Sequence, residues 1–147
     1  MEQNFPQLRY REPLLLAKNT GSTLVDVSAD AGSAFSHAWA ARGLAIGDID
    51  NDGRLDAVVT TNDGPAYVLH NETSTQNHWL TLKLIGHKSN RDAIGAEVKI
   101  VTPEGQQLAT VTTAGSYLSS SDKRVHFGLG NNATVKSIDI RLSLIHI

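Results

Sequence analysis

The chain has 147 residues, is 40% apolar and 19% charged, carries a net charge of −2 with a pI near 6.3, and contains no cysteine. This describes one ordinary soluble globular domain or two small ones, and excludes disulfides, thiolate catalysis and cysteine-based zinc sites. No run of 18 apolar residues suits a membrane span, the N-terminus is no signal peptide, and no basic cluster offers nucleic acid or a membrane surface a footprint.

In chain order, the first pattern is Pro13 to Thr20, which aligns with Pro65 to Glu72 at a constant offset of 52 residues, Asn19 falling on Asn71. A period of that size suits propeller blades. Between the copies come a predicted strand at Thr23 to Val27 and the stretch Ala29 to Arg42. Ser33 to Ala41 is alanine-rich enough for a short helix, but Gly32 and Gly43 bracket it as a loop, and a loop is the expectation. Gly43 to Gly47 and Ala57 to Thr61 are apolar and β-branched runs expected as strands.

The nine residues joining those strands read Asp48-Ile49-Asp50-Asn51-Asp52-Gly53-Arg54-Leu55-Asp56. Carboxylates at loop positions 1, 3, 5 and 9, with glycine at 6, direct alternate side chains inward around a sharp turn. Two unit charges about 4 Å apart repel by roughly 4 kcal/mol at an effective dielectric of 20, so such a loop calls for a cation. Hard oxygen ligands select Ca2+, and magnesium less readily. An EF-hand would need a Glu where Val59 stands and helices on both flanks, so the expected site is a calcium loop between strands. A metal-free hairpin turn would account for Asn51, Asp52 and Gly53 but not for Asp48 and Asp56. The charge is localised: residues 1 to 70 have five Lys/Arg against nine Asp/Glu, and residues 71 to 147 have eight against six.

Beyond Asn71 the polar run Thr73 to Asn77 is expected as a short linker. Alternation then predicts strands around Leu80 to Leu84, Ala96 to Val101 and Ile138 to Leu142, with two more at Leu108 to Thr113 and Val125 to Leu129. Pro103-Glu104-Gly105 and Gly130-Asn131-Asn132 are turns. The expected fold is all-β, a small five-stranded sandwich or barrel following the propeller-like part.

Gly47 to Thr60 resembles the core of an FG-GAP/VCBS propeller repeat of the integrin α-subunit type. Ser89 to Ala96, Ala114 to Ser119 and His126 to Gly130 resemble the ASPIC/UnbV domain. Together they resemble the C-terminal end of cartilage acidic protein-like proteins. The resemblance implies a partial propeller over residues 1–72, about one blade, with an ASPIC/UnbV-like β-domain over 73–141. It also implies metal ligands Asp48, Asp50, Asp52, Asp56 and the Arg54 carbonyl, secretion, and a role in adhesion without catalysis. Both ends are expected to be cut. Residues 142–147, Leu-Ser-Leu-Ile-His-Ile, match what a transposon end used in sequencing libraries encodes, and are expected to be a non-native tail.

The other candidates point to ordinary structure. Ser116, Ser119 to Ser121, Asp92, Asp122 and His126 offer hydroxyl, imidazole and carboxylate, but on different predicted turns and without a nucleophile elbow. His126 falls on the face opposite Val125 and Phe127, and is expected to be exposed or locally hydrogen-bonded. His37, His70, His78 and His87 lack zinc-site spacing. Arg91 and Asp92 suit a turn ion pair or a ligand contact, and Tyr117 either packs or faces a partner. The leading functional expectation is a non-enzymatic, calcium-binding extracellular module that meets a protein or carbohydrate surface. An accessory region of a larger secreted enzyme would instead join Asp92 and His126 in one closed pocket. A purely structural cap on the propeller edge would rest on apolar contact.

Overall fold

A computed structural model describes residues 9–142 as an all-β chain of twelve short strands with two 3-10 turns; no helix among them is long and apolar enough to cross a membrane. The predicted tail from residue 143 onward lies outside the described residues. Contacts concentrate in two compact units, 9–43 with 58–69, and 44–57 with 70–142. Composition divides the chain at 72/73 because the sequence pattern changes there; contacts group the acidic loop with the C-terminal part.

In the first unit, β1 (Glu12–Pro13) pairs with β4 (Ala38–Trp39), and β2 (Ala17–Asn19) pairs antiparallel with β3 (Leu24–Asp26). Asn19 Oδ1 accepts the Gly21 amide at 2.8 Å and Thr20 closes the hairpin on the Thr23 carbonyl. The aligned Asn71 makes the same side-chain bond, accepting the amide two residues on, that of Thr73, at 3.1 Å. The strands repeat less well, since β7 (Tyr67–Leu69) aligns with residues 15–17 and β2 begins only at Ala17. The ambiguous alanine-rich stretch forms a 3-10 turn at Ser33–Ser36, closed by the Ser36 hydroxyl donating to the Ser33 carbonyl, and then extends into β4. Gly32 at φ +96° and extended His37 stop any longer helix. Trp39 donates its indole N–H to the Ala34 carbonyl and meets Tyr67 edge-on at 4.1 Å. Little of this unit is buried: Leu15, Leu24 and Val68 face solvent, and its buried apolar residues are Ala40 and Val59.

A three-stranded sheet has the order β5 (Ala41–Gly47), β6 (Asp56–Thr61), β7, which leaves β5 at its edge. Beyond the linker, residues 78–141 form five strands, as expected. β8 (His78–Leu82) pairs antiparallel with β11 (Val125–Gly130), while β9 (Glu97–Thr102) runs between β10 (Gly105–Thr110) and β12 (Ser137–Arg141). Pro103 and Glu104 form the two-residue turn between β9 and β10. Period-two alternation sends Val98 and Ile100 of β9, and Val125, Phe127 and Leu129 of β11, into one apolar cluster with Ala93, Ala96 and Val111. Both sheets stay open and no barrel closes among the described residues. Ile138 and Ile140 stand opposite Ile100 and Val98 in register, yet are 42% and 47% exposed, because β12 is an edge strand with nothing described beyond it.

Candidate metal centre

The acidic loop leaves β5 after Gly47 and re-enters the sheet at Asp56. Asn51 at φ +60° and Gly53 at φ +87° both take the left-handed conformation, which Asn tolerates and glycine adopts freely. The Ile49, Asp52, Gly53 and Arg54 amides all donate to loop carboxylates. Asp48 accepts the amides of Asp52 and Gly53 on its two oxygens, both at 3.1 Å; Asp50 accepts from Asp52 at 3.2 Å, and Asp52 from Arg54 at 2.8 Å. Asp56 bridges the loop ends, taking the Ile49 amide on Oδ2 at 3.0 Å and the Asn71 amide on Oδ1 at 2.8 Å.

Asp48, Asp50 and Asp56 each place a carboxylate oxygen so that all three lie within 4.8 Å of one another. Asp52 adjoins this group through Asp50: its carboxylate takes the Arg54 guanidinium, and it clusters with Asp50 and His70. Arg54, for which only a carbonyl role follows from sequence, also donates Nε to the Asn71 carbonyl at 2.6 Å.

His70 and Asn71 belong to the site although spacing gave them no part in it. His70 Nδ1 lies 3.0 Å from Asp56 and Nε2 3.6 Å from Asp50; Asn71 holds Asp56 and the Leu55 carbonyl. The clue was present in the repeat, which singles out Asn71.

Asp48 and Asp56 are only 4% and 2% exposed. Burial pushes the Asp56 carboxyl up, but the Asn71 and Ile49 amides and His70 outweigh it and hold the group below the ordinary carboxylate value. Among the described residues no lysine or arginine forms an ion pair with the Asp48, Asp50 or Asp56 carboxylate. Three convergent carboxylates, two of them buried, with hard oxygens and no thiolate fit a divalent calcium-type cation. Bound there, such an ion would supply charge neutralisation.

The same unit packs against the loop from the far side. The outer face of the β8–β11 pair carries Trp79, Thr81 and His126; Trp79 stacks with His126 at 6.1 Å, and His126 Nδ1 lies 3.0 Å from the Thr81 hydroxyl, which meets the local-bond alternative. Burial lowers the His126 pKa, with Arg124 adding to the effect and Asp48 opposing it. Asp92 pairs with Lys123 at 2.6 Å, which with the weaker pull of the Arg91 charge holds its carboxyl below the ordinary value, and its amide donates to the Asn90 side-chain oxygen at 2.9 Å. A cleft of about 230 Å³ lies beside His126, lined also by Thr81, Thr110, Ser121 and Lys123; Asp92 does not line it. Two of the serines weighed as nucleophiles serve β5: the Ser116 hydroxyl accepts the Leu44 amide at 3.1 Å and Ser121 accepts the Ile46 amide at 3.2 Å, while the Asp122 amide donates to the Ile46 carbonyl at 2.9 Å.

A Cβ added at Gly53 would stand 1.9 Å from the Trp79 indole nitrogen. Gly53→Ala therefore meets both a clash and a positive φ, and is expected to cost about 1–3 kcal/mol and to expel the indole. Trp79 fluorescence in a Trp39→Phe background measures this; unchanged emission and unchanged stability would refute it.

Compared with known proteins, no curated protein matches the chain at a significant level. Residues 86–142, which span β9 to β12 and include Arg124 at the loop and Ser116 to Asp122 along β5, match the family described as ASPIC and UnbV.

Proposed function

We propose that the chain is a non-enzymatic, calcium-binding extracellular interaction module, in which a partial FG-GAP-type propeller blade precedes a sandwich-like ASPIC/UnbV domain. The observation that carries this reading is the convergence of Asp48, Asp50 and Asp56 on one point, with two of the three buried. Asp52 and the Arg54 carbonyl complete the ligand set implied by the FG-GAP resemblance. Asp52 would then have to share its carboxylate between the cation and the Arg54 guanidinium. Loops of this kind fill where calcium is millimolar, which fits secretion, and the exposed faces fit a protein or carbohydrate partner. A structural role accompanies the binding role, since residues 116–122 complete the open edge of β5 with polar groups.

Calcium titration followed by thermal melting tests the reading. At one hundred times its dissociation constant a ligand bound only to the folded state stabilises by about 2.7 kcal/mol, which for a chain of this size raises the midpoint by roughly 5–10 °C. Asp50→Ala, at an exposed ligand, is expected to leave folding in chelator intact and to abolish the rise. A melt indifferent to calcium and chelator would discard the proposal.

A further inference from the structure

We infer that Arg124, which lies within the ASPIC and UnbV match, is the positioning residue of the acidic loop and couples cation binding there to the β-structure that carries it. The inference rests on the calcium reading of that loop. The guanidinium spends its three faces on three partners: Nε donates to Asp122 Oδ2 at 2.5 Å, one terminal nitrogen donates to the Asn51 side-chain oxygen, and the other donates to the Asp48 carbonyl at 2.6 Å. Two of those partners lie inside the loop. Asp48 is its first, buried carboxylate residue, and Asn51 holds the unfavourable positive φ that turns the chain back toward Gly53. Only a planar fork reaches all three, which a lysine ammonium cannot reproduce.

Two effects of opposite sign operate. A guanidinium near a cation repels it, so removing Arg124 on charge grounds alone would tighten binding. Asp122 cancels that charge: although burial pushes its carboxyl up, the Arg124 amide and guanidinium hold it below the ordinary carboxylate value, so it stays ionised beside the arginine. Lys123 is occupied by Asp92. Positioning therefore outweighs repulsion, and loss of Arg124 weakens binding. Coupling is reciprocal, so the cation in turn steadies the Asp122 amide on the Ile46 carbonyl.

Isothermal calorimetry with calcium chloride on the full chain tests this, using wild type, Arg124→Ala, Arg124→Lys and Asn51→Gly. Arg124→Ala is expected to weaken calcium by about tenfold, a typical coupling. Arg124→Lys should recover only part of that loss. Asn51→Gly, which removes one acceptor but keeps positive φ accessible, should weaken binding several-fold and carries the test if the arginine variants do not fold. In the wild type, calcium should slow hydrogen exchange at the Asp122 amide; in Arg124→Ala it should not. Calcium affinity equal to or tighter than wild type in Arg124→Ala or Asn51→Gly would overturn the inference, as would full affinity in Arg124→Lys. An Arg124→Ala effect on melting in chelator with unchanged affinity would also overturn it, since that is a merely structural role. A wild type silent to calcium would remove both this coupling and the calcium reading, whereas a responsive wild type with unaltered variants removes the coupling alone.

Discussion

Replacing Asp56 with alanine is expected to destabilise the chain by about 2–4 kcal/mol in chelator and to eliminate any calcium response. The side chain is almost wholly buried and accepts the Ile49 and Asn71 amides while lying against His70, so alanine strands two backbone donors at the loop closure. An opposing gain must be subtracted: Asp56 sits within 4.8 Å of the Asp48 and Asp50 carboxylates, and its removal relieves repulsion. That relief is smaller than the loss, because, in spite of its burial and its acidic neighbours, the Asn71 and Ile49 amides and His70 hold the ionised Asp56 carboxyl below the ordinary carboxylate value. Urea denaturation in chelator and again in calcium separates the two contributions. A variant as stable as wild type in chelator would show that repulsion wins and that the amide bonds contribute little.

Ile100→Ala should cost a further 2–5 kcal/mol, about 3 as a central value, through lost transfer free energy and the cavity left behind. Ile100 is fully buried on the central strand β9, within the cluster formed by Val98, Val111, Val125 and Phe127. That cluster is the principal core among the described residues, so no second core can compensate. Ile100→Val should cost only about 0.5–1.5 kcal/mol, and the pair gives a graded check. Equal denaturation midpoints for alanine and wild type would mean that β9 is not the centre of the packed sheet.

What could be seen in the sequence was local. The strand–loop–strand form around Asp48 to Asp56 follows from β-branched flanks and a glycine turn, and the five later strands follow from alternation, because a half-buried strand writes its period into successive residues. Edge position is not so written. Ile138 and Ile140 alternate as well as Val98 and Ile100 do, and only the sheet order decides which pair is covered. The site divides in the same way. Asp48, Asp50 and Asp56 converge as their spacing suggests, but the direction of the Arg54 side chain, which holds the Asp52 carboxylate, depends on the Asn71 carbonyl 17 residues away. Trp79, Ser116, Ser121 and Arg124 reach the loop and its strand from further still, and no periodicity marks them. His70 was set aside because a histidine judged by zinc spacing does not reveal a carboxylate neighbour 14 residues earlier.

The serine hydroxyls on β5 bear on how the molecule stays apart from its copies. An unsatisfied strand margin is a template on which a stray polypeptide can add itself and start an aggregate. Here the Leu44 and Ile46 amides and the Ile46 carbonyl already have intramolecular partners, supplied by side chains and a single amide and not by a regular ladder. A newcomer would have to displace those bonds before pairing there, so strand addition at this margin is disfavoured.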